Sequence, residues 1–153
     1  LRIDADFDAV IQACAAPRGD EAGTWITDSV ADAYIELHRR GLAHSIETWV
    51  GGRLAGGLYG VALGRMFYGE SMFSRVPDAS KIALAALVRV MRTERVRVID
   101  CQQKTRHLAS LGAREISRRE FVAHLKASVR AAPIKWAAYT DRLLNALLID
   151  LGS

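Results

Sequence analysis

The sequence predicts an α/β domain whose mixed sheet is flanked by helices. Three segments rich in β-branched and aromatic residues follow one another over residues 43–73, separated by glycine turns. An amphipathic helix and a further apolar strand come directly after them. Half of the 153 residues are hydrophobic and a quarter are charged, so the chain is expected to bury one substantial core.

The N-terminal part is predicted to contain a short strand and a helix, followed by a loop that Pro17, Gly19 and Gly23 interrupt. A second helix is expected over "TDSVADAYIELHRRG". Thr27 is a suitable N-cap for it, acidic residues lie in its first turn, and Gly41 follows its last, basic turn.

The three strands are predicted from their turn signals and from their apolar residues. The strand "AHSIETWV" is joined to "RLAGGLYGVAL" by Gly51 and Gly52, a pair typical of a two-residue hairpin, and Gly64 leads into "RMFYGESMF". The middle strand is apolar on both faces, so it is expected to lie centrally in a covered sheet. Its glycines indicate a close approach by another backbone or by a ligand.

The segment "DASKIALAALVRVMRTE" is predicted to be a helix that begins at Asp78 or Ser80. Its opposite side carries a narrow basic stripe. The apolar residues fall on one broad face, which comprises Ile82, Ala83, Ala86, Leu87, Val90 and Met91.

The remaining elements are expected in the order strand, loop, helix, helix. The strand is "VRVIDCQ", the loop is "KTRHLASLG", and the next helix begins with the capping box of Ser117 and Glu120. An amphipathic helix is expected from about Ile134. We therefore predict a domain over residues 1–132 and a C-terminal helical extension over residues 133–153.

Two carboxylates are the first candidates for chemistry, because each lies among apolar neighbours near a strand end. Strand alternation places Glu70 on the face of Met66, Tyr68 and Met72, and Asp100 on the face of Val96, Val98 and Gln102. A carboxylate in such surroundings needs a partner. The partner is either a structural cation (Arg65, Arg75 or Lys104) or a bound cation or amine.

Other polar residues give weaker signals. Gln102 either donates hydrogen bonds to a carbonyl or caps a strand end, and no nucleophile motif accompanies His44 or His107, which are expected to be structural. Trp25 is expected in the core unless it is exposed for stacking. A nucleophilic Cys101 is disfavoured because its carboxylate neighbour, Asp100, opposes thiolate formation.

The net charge of +4 is unevenly distributed. Residues 1–38 contain two basic and eight acidic side chains, whereas the remainder contains nineteen basic and nine acidic ones. A basic body is compatible with a polyanion partner on one side of the molecule. The candidate phosphate surface is the helical stripe together with two arginines that follow it: Lys81, Arg89, Arg92, Arg95 and Arg97.

No apolar run is long enough to span a membrane, and the first residues do not resemble a signal peptide. The two cysteines have no metal-ligand spacing, so a reduced cytoplasmic protein without a metal site is expected. The order of elements favours a sheet of the N-acetyltransferase-like (GNAT) type.

Several motifs together resemble one family, the bacterial leucyl/phenylalanyl-tRNA–protein transferases. They are "GTWIT", "LHRRGLAHSIETW", "GGLYGVALGRMFYGESMFSR", "DASKIAL", "VIDCQ" and "HLASLGAREISRREF". The resemblance covers roughly residues 3–130. It implies transfer of leucine or phenylalanine, and possibly methionine, from aminoacyl-tRNA to proteins with N-terminal Arg or Lys, which marks them for degradation. It also implies an N-acetyltransferase-like catalytic domain that requires no cofactor.

The resemblance also implies roles for individual residues. Asp100 and Gln102 match the catalytic pair, and Glu70 matches a site residue for the incoming amine. Trp25 and Tyr34 match residues at the site of the tRNA 3′ end. The apolar pocket for the transferred side chain corresponds to Leu58, Phe67, Leu84, Leu87, Met91 and Ile99.

Family members carry an N-terminal domain with a Trp-Trp-Ser-Pro-type motif before the segment that corresponds to "FDAVIQACAAPR", and the 153 residues contain no such motif. Two alternative functions stay open. An acyl-CoA-dependent N-acetyltransferase would need a pyrophosphate-binding turn of the type Gln/Arg-x-x-Gly-x-Gly/Ala, of which there is no good copy. A non-catalytic module that binds RNA or protein is the other alternative. The sequence leaves the oligomeric state open.

Overall fold

The computed structural model describes residues 1–17 and 24–149, so the predicted loop glycines Gly19 and Gly23 lie outside the described residues. The strands are β1 (Arg2–Ile3), β2 (Ala43–Val50), β3 (Arg53–Leu63), β4 (Met66–Ser74) and β5 (Ile99–Asp100). The helices are α1 (Phe7–Ala15), α2 (Asp28–Arg39), α3 (Ala79–Thr93), α4 (Arg106–Ser110), α5 (Arg118–Ser128) and α6 (Asp141–Ile149), with a short 3₁₀ turn at Trp136–Ala138.

The five strands form one mixed sheet in the order β1-β2-β3-β4-β5. Neighbours from β1 to β4 are antiparallel, whereas β5 runs parallel to β4 after the α3 crossover. The predicted mixed α/β architecture is therefore confirmed, and β3 occupies the predicted central position. The hairpin between β2 and β3 turns through Gly51 and Gly52 at φ values of 56° and 76°, a backbone conformation that glycine adopts without strain.

Helices cover both faces of the sheet, and each face has its own apolar core. We call the first core the α3 layer; it joins α3 to Leu58 and Phe67 of the sheet and to residues 134–144 of the C-terminal segment. We call the second core the α1/α2 layer; it joins those two helices to Tyr59 and Phe73. Leu58 and Tyr59 are consecutive on β3, so strand alternation sends them to opposite faces.

Most of the predicted helix signals agree with the structure. The Thr27 hydroxyl accepts a hydrogen bond from the Val30 N–H at the start of α2, and the capping box of Ser117 and Glu120 is present at the start of α5. Asp78 precedes α3, but its carboxylate pairs with Lys81 at 2.6 Å instead of capping the helix.

Four local predictions were wrong. Ile82 is 40 % exposed, because it lies about 100° around the α3 axis from Ala83 and so falls outside the buried arc. The strand predicted over residues 96–102 is reduced to Ile99–Asp100, and Gln102 turns the chain with a φ of 60°. The predicted loop that follows contains α4, and the last helix begins at Asp141 rather than near Ile134.

No helix in the described part of the chain is both long and apolar enough to cross a bilayer.

Candidate active site

A β-bulge in β4 determines the position of Glu70. On the facing strand Tyr59 pairs with Ser71 and its neighbour Gly60 pairs with Gly69, which leaves Glu70 as the extra residue between them. A bulge of this kind bends its strand and redirects a side chain, and bulges are frequent beside active sites. The inserted residue also breaks the strict alternation assumed from the sequence: Met72 packs against the α3 layer, whereas Glu70 contacts α2 on the opposite face.

Glu70 lies near a tyrosine of the α1/α2 layer, Tyr34. Burial raises the pKa of the Tyr34 phenol, and the proximity of the Glu70 carboxylate raises it further. Tyr34 therefore stays neutral at every physiological pH.

The structural cations considered as partners of the two carboxylates are engaged elsewhere. Arg65 lies 3.5 Å from the Glu94 carboxylate, and Lys104 pairs with Glu115. The Arg75 guanidinium donates to the Leu54 carbonyl oxygen at 3.1 Å and lies over the Phe73 ring. Within the described residues no salt bridge joins any of these three cations to Glu70 or Asp100.

Asp100 and Gln102 are held together at the end of β5. The Gln102 backbone N–H donates to Asp100 Oδ1 at 2.8 Å, and Gln102 Nε2 donates to the Gly69 carbonyl oxygen at 3.3 Å. Gly69 directly precedes Glu70, so the amide of Gln102 reaches the bulge from the neighbouring strand. All three candidate catalytic residues thus meet at the β4–β5 edge of the sheet.

Asp100 lies on the same side of the sheet as Glu70. Ile99 packs against the α3 layer, so alternation sends Asp100 to the opposite face. The negative charge of Asp100 contributes, after burial, to raising the pKa of Tyr68 on the adjacent strand. Burial and the same carboxylate raise the pKa of the Cys101 thiol, which keeps the thiol protonated and agrees with the prediction that it is not a nucleophile.

The residues matched to the apolar pocket all belong to the α3 layer. Leu58, Phe67, Leu87 and Met91 are each at most 3 % exposed, whereas Leu84 and Ile99 are partly buried at the margin of that core. The described part of this layer is a packed core, and its accessible margin lies at Leu84, Ile99 and Met72.

A groove of about 530 Å³ opens next to the bulge. Its walls come from the end of α1, from β4 just past Glu70, and from the starts of α3 and α4. The lining residues that matter here are Met72, Ser74, Arg75, Ser80 and His107. Neither Glu70 nor Asp100 lines this groove; Met72, two residues after Glu70 on β4, is its lining residue nearest to Glu70 along the chain.

The residues matched to the tRNA 3′ end lie just before α2 (Trp25) and on the side of α2 that packs toward the sheet (Tyr34). Trp25 is 56 % exposed, which fits the stacking alternative rather than the core, and its ring meets Tyr34 edge-on at 6.5 Å. The basic stripe is only partly available, because Lys81 is paired with Asp78 and Arg89 is half-buried. Lys81 is itself exposed, and the exposed members without such an ion pair among the described residues are Arg92, Arg95 and Arg97.

Two features of the site region are not among those predicted from the sequence. Tyr59 is fully buried beneath the bulge, and its hydroxyl has no hydrogen-bond partner among the described residues. Glu47 is a buried carboxylate that accepts hydrogen bonds from the Asp6 N–H, the Ser45 hydroxyl and the Trp49 indole. An isolated glycine inside a strand is a known bulge signal, so Gly69 could have indicated the bulge.

His44 is structural, as predicted. It is 6 % exposed, its Nδ1 lies 2.7 Å from Asp4 Oδ2, and its ring stacks on Trp136 with centroids 4.5 Å apart. This arrangement connects β1, β2 and the C-terminal segment, and none of its members is a candidate catalytic residue.

Comparison with known proteins identifies the family. The family model described as leucyl/phenylalanyl-tRNA protein transferase matches residues 1–126. The leucyl/phenylalanyl-tRNA–protein transferase of Paraburkholderia phymatum is 62 % identical over 149 residues, covering 97 % of this chain and 60 % of that protein. The Burkholderia pseudomallei (strain 668) protein of the same name is 58 % identical over 154 residues, covering 100 % of this chain and 60 % of that protein. The chain thus spans about 60 % of the length of these relatives, and it belongs to the leucyl/phenylalanyl-tRNA–protein transferase family.

Proposed function

We propose that this chain carries the catalytic centre of an aminoacyltransferase that moves leucine or phenylalanine, and possibly methionine, from aminoacyl-tRNA to the N-terminal Arg or Lys of a protein. The modified protein is thereby marked for degradation. Family membership supports the reaction. The observation that carries its assignment to these residues is the meeting of Glu70, Asp100 and Gln102 at one bulged edge of the sheet.

The enzyme has to position the attacking amine and assist the removal of its proton, and it does not have to activate the ester. The α-amine nitrogen attacks the ester carbonyl carbon, the bond from that carbon to the tRNA ribose oxygen breaks, and the amine proton ends on the released ribose hydroxyl. An aminoacyl ester is already activated, so the chemistry calls for neither a cofactor nor a covalent enzyme intermediate. The α-amine has an ordinary pKa of about 7.7–8.0, so a useful fraction is neutral near pH 7.

The hydrogen bonds of Gln102 suggest how the amine is oriented. Its Nε2 donates to the Gly69 carbonyl oxygen, which leaves Oε1 as the acceptor of an incoming N–H. Asp100 holds the backbone of Gln102 in its left-handed turn through the 2.8 Å hydrogen bond. In this proposal Asp100 and Gln102 align the amine for attack, and Glu70 binds the cationic end of the acceptor.

The transferred side chain is proposed to enter at the accessible margin of the α3 layer, near Leu84 and Ile99. The buried members of the matched pocket, Leu58, Phe67, Leu87 and Met91, then form its floor. An apolar pocket separates leucine and phenylalanine from polar amino acids, because a polar group there would lose its hydrogen bonds to water. Trp25 is proposed to stack on the tRNA 3′ end.

We propose that the fold is N-acetyltransferase-like, with residues 1–132 as the catalytic domain and residues 133–153 as a helical extension. The parallel β4–β5 pair after an antiparallel meander supports this proposal. The proposed location is the cytoplasm, where aminoacyl-tRNA is present. It is supported by two cysteines that are thiols rather than disulfide partners.

A transfer assay tests the proposal. The chain is incubated with leucyl-tRNA carrying labelled leucine and with a peptide that begins with Arg, and labelled peptide is the expected product. The same peptide with an acetylated N-terminus is the control, because it lacks the attacking amine. Labelling from acetyl-CoA instead would favour the N-acetyltransferase alternative, and tRNA binding without transfer to either peptide would favour the non-catalytic module.

A further inference from the structure

Three of the motifs that carry the family resemblance contain polar residues that the proposed mechanism does not use, and these residues meet in the groove beside β4. Ser74 and Arg75 end the motif "FYGESMFSR", Ser80 belongs to "DASKIAL", and His107 begins "HLASLGAREISRREF". The rest of the described lining is apolar, so no acidic side chain is part of it. A concave surface with cationic and hydroxyl donors and without carboxylates is suited to an anion.

Arg75 is a cation held in place by neighbours that do not cancel its charge. One guanidinium nitrogen donates to the Leu54 carbonyl oxygen at 3.1 Å, and the guanidinium carbon lies 5.4 Å from the centre of the Phe73 ring. No salt bridge joins Arg75 to a carboxylate in the described part of the chain. Because a guanidinium has five N–H donors in a rigid fork, most of them stay available for a phosphate.

Ser80 adds a hydroxyl donor to the same groove. The residue is 9 % exposed and lies in the first turn of α3. Its backbone N–H donates to the Ser74 hydroxyl, which itself donates to the Val76 carbonyl oxygen. The Ser80 hydroxyl has no hydrogen-bond partner among the described residues, and a buried hydroxyl left in this way costs free energy. A ligand oxygen bound in the groove would satisfy it, at the positive end of the α3 dipole.

The groove adjoins the place where the aminoacyl group is proposed to bind. Met72 lines the groove and also packs at the accessible margin of the α3 layer. A donor whose amino-acid side chain enters at that margin has its last phosphodiester only one ribose away from the ester. An acceptor that begins with Arg or Lys instead brings a cation, which Arg75 repels. The charge of the groove therefore favours the donor over the acceptor.

We propose that Arg75, Ser80 and His107 bind the phosphate on the 5′ side of the terminal adenosine of aminoacyl-tRNA. The guanidinium supplies the charge and a bidentate contact, and the serine hydroxyl and a ring N–H of the histidine supply further donors. The inference rests on the proposed function, since it takes an aminoacyl-tRNA as the donor. It adds a phosphate site at the start of α3, whereas the candidate phosphate surface of Arg92, Arg95 and Arg97 lies at its end and beyond.

Two stable donor analogues isolate the contribution of the phosphate. One is 3′-leucylamino-3′-deoxyadenosine, in which an amide replaces the reactive ester, and the other is the same compound with a 5′-phosphate. Both are titrated calorimetrically into the parent chain and into Arg75→Gln, Ser80→Ala and Arg53→Gln, and circular dichroism confirms that each variant is folded. The ratio of the two affinities is the phosphate increment of each chain. Arg53→Gln is the matched control, because Arg53 is an exposed arginine outside the groove.

The phosphate is expected to raise the affinity of the parent chain at least about tenfold, the effect of charge-assisted hydrogen bonds. Arg75→Gln should reduce the increment to less than about twofold, and Ser80→Ala should reduce it about threefold. Arg53→Gln should leave it unchanged. Ser80→Asp decides if Arg75→Gln does not fold: a carboxylate is tolerated in the first turn of a helix but repels a phosphate, so the increment should disappear.

A phosphate increment below about twofold in the parent chain would overturn the proposal, whether or not the analogues bind, and so would an equal loss in Arg53→Gln. An acceptor carboxylate in the groove is the competing outcome: arginyl-alanine would bind more tightly than its C-terminal amide, and Arg75→Gln would abolish the difference. Transfer by the parent chain without a phosphate increment would refute this inference alone. An increment that depends on Arg75, without any transfer, would refute the proposed function and leave the phosphate site standing.

Discussion

The two faces of the sheet are built for different tasks. The α3 layer is a mainly apolar core that includes a long helix, the sheet and the C-terminal segment, with Phe67, Leu87 and Leu144 at most 1 % exposed. The α1/α2 layer contains aromatic rings with polar tips, a buried hydroxyl without a described partner, and the edge where Glu70 and Asp100 meet. The α3 face is a packed core whose margin is proposed to receive the transferred side chain, and the other face presents the polar groups proposed for proton transfer.

A single inserted residue allows one strand to serve both faces. Before the bulge, Phe67 of β4 packs in the α3 layer, and after it Phe73 packs in the α1/α2 layer, although six positions along a regular strand would return to the same face. The bulge therefore shifts the alternation at the point where Glu70 lies. The separation of core from site in this domain therefore depends on a local irregularity in β4 and not on a separate loop.

The largest expected effect is a loss of transfer activity when a carboxylate of the polar face is removed. Asp100→Ala should reduce leucine transfer at least about a hundredfold, because the Gln102 turn loses the carboxylate that holds it. The unfolding midpoint should change little, since Asp100 is only half-buried. Thermal melts and the transfer assay measure the two quantities on the same sample, and unchanged turnover would remove Asp100 from the proposed mechanism.

A truncated side chain in the apolar α3 layer is expected to change stability. Leu87→Ala in the α3 layer should lower the free energy of unfolding by about 2–5 kcal/mol, because it leaves a cavity in a packed core. Ile82→Ala is the matched control, since Ile82 lies on the same helix but is 40 % exposed. Urea denaturation of both variants is the measurement. Equal losses at the two positions would contradict the description of the α3 layer as closed.

The bulge itself can be tested by two glycines that face each other across β3 and β4. A Cβ at Gly60 would clash with the Tyr68 carbonyl oxygen and with the Phe67 ring, whereas a Cβ at Gly69 would meet its nearest neighbour, the Asp100 carbonyl oxygen, only at 3.6 Å. Gly60→Ala should therefore cost about 1–3 kcal/mol of unfolding free energy. Gly69→Ala should be nearly neutral in stability, and a reversed order in chemical denaturation would show that the bulge lies elsewhere.

Charge removal at the end of α3 and in the segment that follows it tests whether these arginines form the tRNA surface. Replacing Arg92, Arg95 and Arg97 by Gln should reduce the slope of log K against log salt concentration by about 2–3, because each lost phosphate contact releases about one counterion fewer. Arg53→Gln, in the exposed hairpin between β2 and β3, is the control and should leave the slope unchanged. Binding of uncharged tRNA at several salt concentrations gives the slopes, and an unaltered triple variant would exclude the stripe.

Much of the fold could be predicted from the sequence, because local signals determine it. Gly51–Gly52 places a hairpin, Thr27 begins a helix, and the apolar run of β3 indicates a central strand; each signal lies within a few residues of the feature it specifies. The prediction for Ile82 was wrong because α3 has more apolar residues than its buried face can hold, and Ile82 is one of those left exposed.

The candidate site could be predicted less well, because its contacts join distant parts of the chain. The carboxylates of Glu70 and Asp100 were recognisable as charges in apolar surroundings. The proximity of Tyr34 to Glu70 and the hydrogen bond from Gln102 to Gly69 depend on the bulge and on the packing of α2, neither of which has a periodic signal. The period of two predicts which side chains of a regular strand point to the same face of the sheet. It cannot predict a bulge, after which the alternation of the side chains is shifted.

The smallest expected effect lies in α5, outside both layers, and concerns pH. Burial lowers the pKa of His124, and the positive charge of Arg97 lowers it further. The unfolded chain therefore takes up a proton at His124 before the folded chain does, as the pH falls below about 6.5. As the pH falls from the unfolded pKa of His124 to its lower folded pKa, the free energy of unfolding should therefore decrease. His124→Gln should flatten this part of the stability curve, whereas His107→Gln, at an exposed position, should leave it unchanged. Denaturation midpoints measured from pH 7.5 to pH 5 compare the two variants, and parallel curves for His124→Gln and the parent chain would refute the assignment.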